Sequence, residues 1–204
     1  MNNIKFYESS DYWEKRYSNN SDTWTLNKVN PVFVRIIEEK KFGPINDLLI
    51  IGCGKGYEAC FAAQSNIRVT AVDFSIKALT SAEEDCKLKN GNPKFINMNL
   101  FELKKWGEKF DSVYEYTTFC SLNPDKIEEL LWNIESVLKT NGIFITVLFP
   151  LREVKYKPPI PIDLKNFVQQ AKKMFNLIYM QKNINSIKPR QGNELLLIFR
   201  KKRN

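Results

Sequence analysis

The 204-residue chain contains no histidine. That absence removes the commonest general base and a frequent metal ligand, so Ser-His-Asp or Cys-His nucleophilic catalysis and the HExxH zinc site are excluded. Any chemistry must come from carboxylates, tyrosine, cysteine, lysine or a bound cofactor. Cysteine is sparse too: Cys53, Cys60, Cys86 and Cys120 form no CxxC pair and no zinc-like spacing, and a domain of this size buries a core without cross-links. The expectation is reduced thiols, no metal and a cytoplasmic protein. Long apolar runs are also missing. The longest, 142–151, is about half of the roughly 20 residues a membrane-spanning helix needs, and the start MNNIKFYESSDYWEKRY is too polar for a signal peptide.

What the chain does have is basic charge, unevenly placed. Its formal net charge is +8; residues 1–149 hold 18 basic and 20 acidic side chains, whereas 150–204 hold 13 and 3. A positive field of this kind binds nucleic acid, steers a small anion toward a cleft, or is simply a solvated lysine-rich face.

From Leu48 onward, short β-branched runs alternate with longer mixed segments, the pattern of strands and helices around a mostly parallel sheet. The runs predict strands at 47–52, 67–72, 94–97, 110–115, 142–149, 174–181 and 194–200. Helices are predicted near 56–65, 75–90 and 125–139, the last opened by Asn123-Pro124-Asp125 and closed by Asn141-Gly142 as a C-cap. The final two strands are too close for a crossover helix and should pair antiparallel. The fold class is therefore α/β: a Rossmann-like sheet of seven strands, mostly parallel with an antiparallel last strand, and helices on both faces. Residues 10–17 and 27–41 read as helices of an N-terminal arm, so that 1–44 is the arm and 45–204 the core of one domain.

The first strand runs into IGCGKGYE, placing Gly52, Gly54 and Gly56 at a strand-to-helix turn, and Asp73 ends the next strand about 20 residues later. A carboxylate there can accept from both ribose hydroxyls of a dinucleotide or of S-adenosylmethionine. The spacing is not the GxGxxG of dinucleotide sites, and an acid at the helix start, Glu58, repels a pyrophosphate but suits a cofactor with an ammonium group. S-adenosylmethionine is the better fit. Asn99, with Leu100 and Phe101, lies where an adenine would arrive. After the fourth strand, YEYTTFCSLNPDK forms the natural reaction floor, with Tyr116 and Cys120 as its polar candidates. The Asn/Asp-Pro-Pro-aromatic motif of amino-group methylation is absent, because Asn123-Pro124 is followed by Asp125-Lys126.

IGCGKGYE, AVDFSIKAL, FDSVYEYTTFCSLNP and ITVLFPLREVKYKPPIPIDLKNF together resemble the class I S-adenosylmethionine-dependent methyltransferases of the thiopurine methyltransferase superfamily, nearest to its thiol, thiocyanate and halide methyltransferases. YWEKRYSNNSDTW resembles that family's aromatic arm and SIKPRQGNE its final hairpin. The resemblance implies that Trp13, Tyr17 and Trp24 line the cofactor cleft, that Gly52, Cys53, Gly54, Asp73 and Phe74 hold the methionine and ribose ends, and that Asn99 and Leu100 meet the adenine. It also implies that Tyr116 lies beneath the methyl-transfer site as the catalytic residue. The candidates toward the acceptor are Trp24, Cys120, Phe149 and Arg152, the last as a positive group next to Phe149-Pro150 for an anion. The chain departs from the family pattern at Asn99, where an acid is frequent, at Tyr57-Glu58, where His-Asp is common, and at Phe149, where plant-type enzymes have Tyr.

The expected reaction is methyl transfer to a small soft nucleophile such as a thiol, hydrosulfide, thiocyanate or halide, with S-adenosylhomocysteine as product. An acceptor that arrives as an anion needs no strong base, which suits a chain without histidine. Alternatives are a thiopurine or a selenium or tellurium anion, a nucleic-acid methyltransferase using the basic tail, or a cofactor-binding domain without turnover. A monomer acting on small molecules is expected.

Overall fold

Asp47–Ile51 (β1) is buried along its whole length, which a strand requires when helices cover both faces of its sheet. The computed structural model describes residues 9–89, 91–154 and 158–203. Residues 1–8 of the expected arm, the last residue of the helix expected at 75–90 and residues 155–157 of the KYKPP stretch lie outside them. The other strands are Arg68–Asp73 (β2), Lys94–Asn97 (β3), Phe110–Tyr116 (β4), Leu138–Leu148 (β5), Phe175–Lys182 (β6) and Leu195–Lys201 (β7). They form one sheet in the order β3-β2-β1-β4-β5-β7-β6. β1 to β5 are parallel, and β7 runs antiparallel to both β5 and β6. The chain leaves β1 toward β3 and returns to β4, so a crevice opens at the carboxyl ends of β1, β2 and β4, where such sheets bind ligands.

Alternation along the strands divides the core in two. Leu49, Ile51, Val113, Phe144 and Phe199 face Ile127–Val137 (α5) and Leu164–Ala171 (α6), while Leu48, Ile50, Tyr114 and Ile145 face Pro31–Glu39 (α2) and Tyr57–Gln64 (α3). Ser10–Ser18 (α1) and Ile76–Leu88 (α4) pack together beside this layer. α2 begins later than the pattern of 27–41 suggests, because Asn30 caps it by accepting the Val32 N–H at 2.9 Å and Pro31 sits at its first position.

The structure corrects two sequence expectations and adds one helix. The helix expected over 125–139 ends at Val137, and Leu138 already pairs with Phe110 in β5. Asn141, at φ 62°, therefore turns within an irregular strand instead of capping a helix. The added helix is α6, which the sequence signals only weakly: its short buried stripe, Phe167 and Ala171, follows a proline-rich run, and its capping residue Asp163 is a weak signal by itself. Finally, Cys60 on α3 and Cys86 on α4 form a disulfide with Cα atoms 5.3 Å apart, leaving only Cys53 and Cys120 as free thiols. Residues 26 apart in sequence meet here because adjacent helices flank the same strand, which spacing alone does not reveal.

Candidate active site

At the end of β1 the backbone of Gly52 and Gly54 turns into the left-handed region, at φ 59° and 52°. A Cβ on Gly52 would overlap the Thr118 hydroxyl, and one on Gly54 would lie 2.9 Å from the Tyr17 hydroxyl. Only glycine lets the turn close this tightly. Asp73, 8% exposed at the end of β2, binds the turn: its Oδ2 accepts the Gly54 N–H at 2.7 Å and its Oδ1 the Ser75 N–H at 2.9 Å. Burial raises the pKa of this carboxyl, and the N–H donors oppose that rise. Each oxygen keeps a further lone pair for a ligand. Cys53 in the same turn is a neutral thiol, its pKa pushed well up by burial and by the charge of Asp73. Glu58 accepts the Asn30 N–H at 3.0 Å, so its carboxylate is engaged by the start of α2.

Beside Asp73 a groove of about 510 Å³ is lined by Ser10, Glu14, Phe74, Ile76, Met98 and Asn99, among others. The Asn97 amide fixes one wall by donating to the carbonyls of Asp73 and Phe74 at 3.2 and 3.0 Å. Asn99 accepts the Phe101 N–H at 3.0 Å, capping the turn that begins at Leu100.

The arm closes over this cradle. Trp24 donates its indole N–H to the Tyr17 hydroxyl at 3.1 Å, and Trp13 meets Trp24 edge-to-face with ring centres 5.2 Å apart. Two ionic contacts hold the arm down. The Glu14 carboxylate accepts from the Ser75 hydroxyl at 2.8 Å, the Ile76 N–H at 2.7 Å and the Lys77 N–H at 3.1 Å, at the α4 N-terminus where the helix dipole favours an anion. Asp22, almost wholly buried, pairs with Lys55 of the glycine turn at 2.9 Å.

The floor follows β4. Thr117 adopts φ 68°, unusual for a β-branched residue. The turn is held by buried Glu115, which accepts the Thr118 and Phe119 N–H groups and the Thr146 hydroxyl. Burial pushes the Glu115 pKa up to about 7 against those donors. Half-buried Tyr116 donates its hydroxyl proton to Glu194 Oε1 at 2.6 Å. Burial raises its pKa well above the ordinary value; Arg190 opposes that rise and Glu194 adds to it, so the phenol stays protonated. Arg190, 5% exposed, lies over the rings of Tyr116 and Phe149, 4.8 and 5.0 Å from their centres, and donates to the Trp24 carbonyl.

The structure thus gathers Trp13, Tyr17, Trp24, Gly52, Cys53, Gly54, Asp73 and Phe74 on one side of the crevice and Tyr116 and Phe149 on the other, with Arg190 bridging them. Cys120 instead turns its Sγ to the Thr117 carbonyl at 3.0 Å, and burial keeps it a neutral thiol. Arg152 is exposed, and the guanidinium stacked on Phe149 belongs to Arg190. Sequence reasoning did not single out Glu14, Arg190 or Glu194. The last two were within reach, because an antiparallel final strand must begin at the carboxyl end of its neighbours, and Leu195 does pair with Leu148 there. The same direction carries the basic end of β7 to the opposite side of the sheet. There Arg200 donates to the Phe42 carbonyl, Lys201 pairs with Glu135 and Lys202 caps α6.

These residues fit an adenosyl cofactor: a buried carboxylate with spare lone pairs suits a ribose, the groove beside it has room for a base, and the glycine turn admits close approach of a polar tail. In sequence, the chain is 29% identical over 191 residues to probable thiol methyltransferase 2 of Arabidopsis thaliana, covering 92% of this chain and 84% of that one. It is 25% identical to thiocyanate methyltransferase 1 of the same plant, over 90% and 82% of the two chains. In fold it matches magnesium protoporphyrin IX methyltransferase from Synechocystis, solved with bound S-adenosylmethionine, with a TM-score of 0.67 at 15% identity over 98% of this chain and 95% of that one. The family model for thiopurine S-methyltransferase matches residues 8–194, and the chain belongs to that family of S-adenosylmethionine-dependent methyltransferases.

Proposed function

We propose that the enzyme methylates a small soft nucleophile, a thiol, hydrosulfide, thiocyanate or halide, seated between Arg190, Tyr116 and Phe149. The observation that carries this reading is the buried guanidinium of Arg190 stacked on both rings at the carboxyl end of the sheet, next to the Asp73 cradle. A cation backed by aromatic faces favours a polarizable, electron-rich sulfur or halide over an amine. The names of the plant relatives, thiol and thiocyanate methyltransferases, support the same acceptor class.

When bound, S-adenosylmethionine supplies a methyl group already activated on a cationic sulfur. The protein's part is therefore to align the acceptor and exclude water. Gly52, Gly54 and Asp73 hold the methionine and ribose ends in this account, and Phe74, Asn99 and Leu100 flank the base. The arm, residues 1–44, covers the cleft of the 45–204 core through Trp13, Tyr17 and Trp24. Tyr116 contacts the acceptor.

We also propose a monomer acting on small molecules; the Cys60–Cys86 disulfide removes the reduced-thiol argument for a cytoplasmic location. No helix among the described residues is long and apolar enough to cross a membrane. The cations at the end of β7 lie on the side of the sheet opposite the Asp73 cradle, which weakens the nucleic-acid alternative. Arg190→Gln tests the seat. The expected result is a fall in kcat/KM for anionic acceptors of about tenfold or more, for the loss of a charge contact worth roughly 1.5–3 kcal/mol, with S-adenosylhomocysteine affinity nearly unchanged. Equal turnover in both proteins would remove Arg190 from the acceptor site.

A further inference from the structure

The hydrogen bond between Tyr116 and Glu194 has a direction, and the direction matters for the acceptor. A phenol has one proton, and that of Tyr116 goes to Glu194 Oε1 at 2.6 Å. Glu194 is 2% exposed, and its Oε2 has no hydrogen-bond partner among the described residues. With its one proton held toward Glu194 Oε1, the Tyr116 oxygen acts only as an acceptor, and the Arg190 guanidinium also hydrogen-bonds it. Other ionisable groups around the pair are Arg190 from the turn before β7, Tyr114 and Glu115 from β4 and Glu58 from α3. Arg190 is the one placed over the Tyr116 ring, where it stabilises negative charge arriving on the phenol oxygen.

We propose that Glu194 is a positioning residue that takes the proton of a neutral thiol through Tyr116, a step that an acceptor arriving as an anion, such as thiocyanate or a halide, does not need. The proposal rests on the methyltransferase reading above and adds how its thiol acceptors lose their proton. The thiol proton passes to Tyr116 Oη as the Tyr116 proton passes to Glu194 Oε1. The freed sulfur lone pair forms the new bond to the methyl carbon. The bond from that carbon to the donor sulfur breaks with its electron pair on the donor, leaving a methyl thioether and S-adenosylhomocysteine. Glu194 returns its proton to solvent when the products leave. A fold without histidine thereby acquires a base for a weakly acidic thiol, assembled from two residues that would each be inert alone.

Two measurements test this, using an aliphatic thiol and thiocyanate as probes. The first is S-adenosylhomocysteine formation with each acceptor below the pKa of the thiol. Glu194→Gln, whose carboxamide still accepts the Tyr116 hydrogen bond but takes no proton, should lower the thiol-to-thiocyanate ratio by about tenfold or more. The second is the pH profile of kcat/KM. In Glu194→Gln and in Tyr116→Phe the thiol-to-thiocyanate ratio should fall by about tenfold or more, and thiol turnover should rise with the ionisation of the thiol itself. Equal loss for both acceptors in the variants, or a thiol-to-thiocyanate ratio that the variants leave unchanged, would overturn the role of Glu194 while leaving methyl transfer intact. No S-adenosylhomocysteine formation by the wild type from any acceptor would instead overturn the methyltransferase reading.

Discussion

Replacing Asp73 by Asn tests the cofactor cradle with the smallest change in shape. Both carboxylate oxygens are in use, one on the Gly54 N–H at 2.7 Å and one on the Ser75 N–H at 2.9 Å. A carboxamide has one acceptor oxygen, so one of these N–H groups must face an NH2, and one ribose hydroxyl loses its acceptor. A hydrogen bond to a charged group contributes about 1.5–3 kcal/mol. Burial already disfavours the charged form of Asp73, which offsets part of the loss and places the effect near the lower end. The expected result is S-adenosylhomocysteine binding weakened by about tenfold to thirtyfold, since about 1.4 kcal/mol corresponds to one decade. Calorimetric titration of the two proteins measures this, and urea unfolding of each confirms that the variant is folded. A folded Asp73→Asn protein that binds within about twofold of the wild type, inside the error of that scale, would refute the ribose assignment.

Three further predictions concern the frame around the site. Glu14→Ala removes the carboxylate that caps α4 and should loosen the arm by about 1 kcal/mol, seen as faster tryptic cleavage at Lys15 and Arg16; unchanged cleavage would show that Asp22 and Lys55 suffice. Glu115 has a folded-state pKa raised to about 7 from 4.5. Its stabilising contribution is therefore complete below the unfolded value and lost as pH rises through the folded one. Denaturant melts should show stability declining between those two values, and Glu115→Gln should flatten that dependence. Reduction of the Cys60–Cys86 disulfide, 26 residues apart, should lower unfolding stability by about 2–4 kcal/mol, and identical melting with and without reductant would contradict the cross-link.

Much of the sheet is legible in the sequence because β1, β2 and β5 are runs of apolar, β-branched residues buried on both faces, and no helix pattern competes with them. The glycine turn and Asp73 are legible for a related reason: backbone geometry at a strand-to-helix turn depends on residue type within a few positions. The aromatic arm is visible only through family resemblance, since Trp13, Tyr17 and Trp24 show no periodicity that separates a lid from ordinary packing. Arg190 and Glu194 escaped because they sit in a loop where charged residues are usual, and their burial depends on β7 entering the sheet between β5 and β6. Cys60 and Cys86 meet only in three dimensions. The false helix end at Asn141-Gly142 shows the reverse error, in which a local cap signal is overridden by strand pairing of Leu138 with Phe110.

The most direct test of the account is headspace gas chromatography of the purified protein with S-adenosylmethionine and, in turn, hydrosulfide, methanethiol, thiocyanate and iodide, with S-adenosylhomocysteine assayed in parallel. The account predicts a volatile methylated product formed in step with S-adenosylhomocysteine. Cofactor binding without S-adenosylhomocysteine formation from any of these acceptors would contradict it.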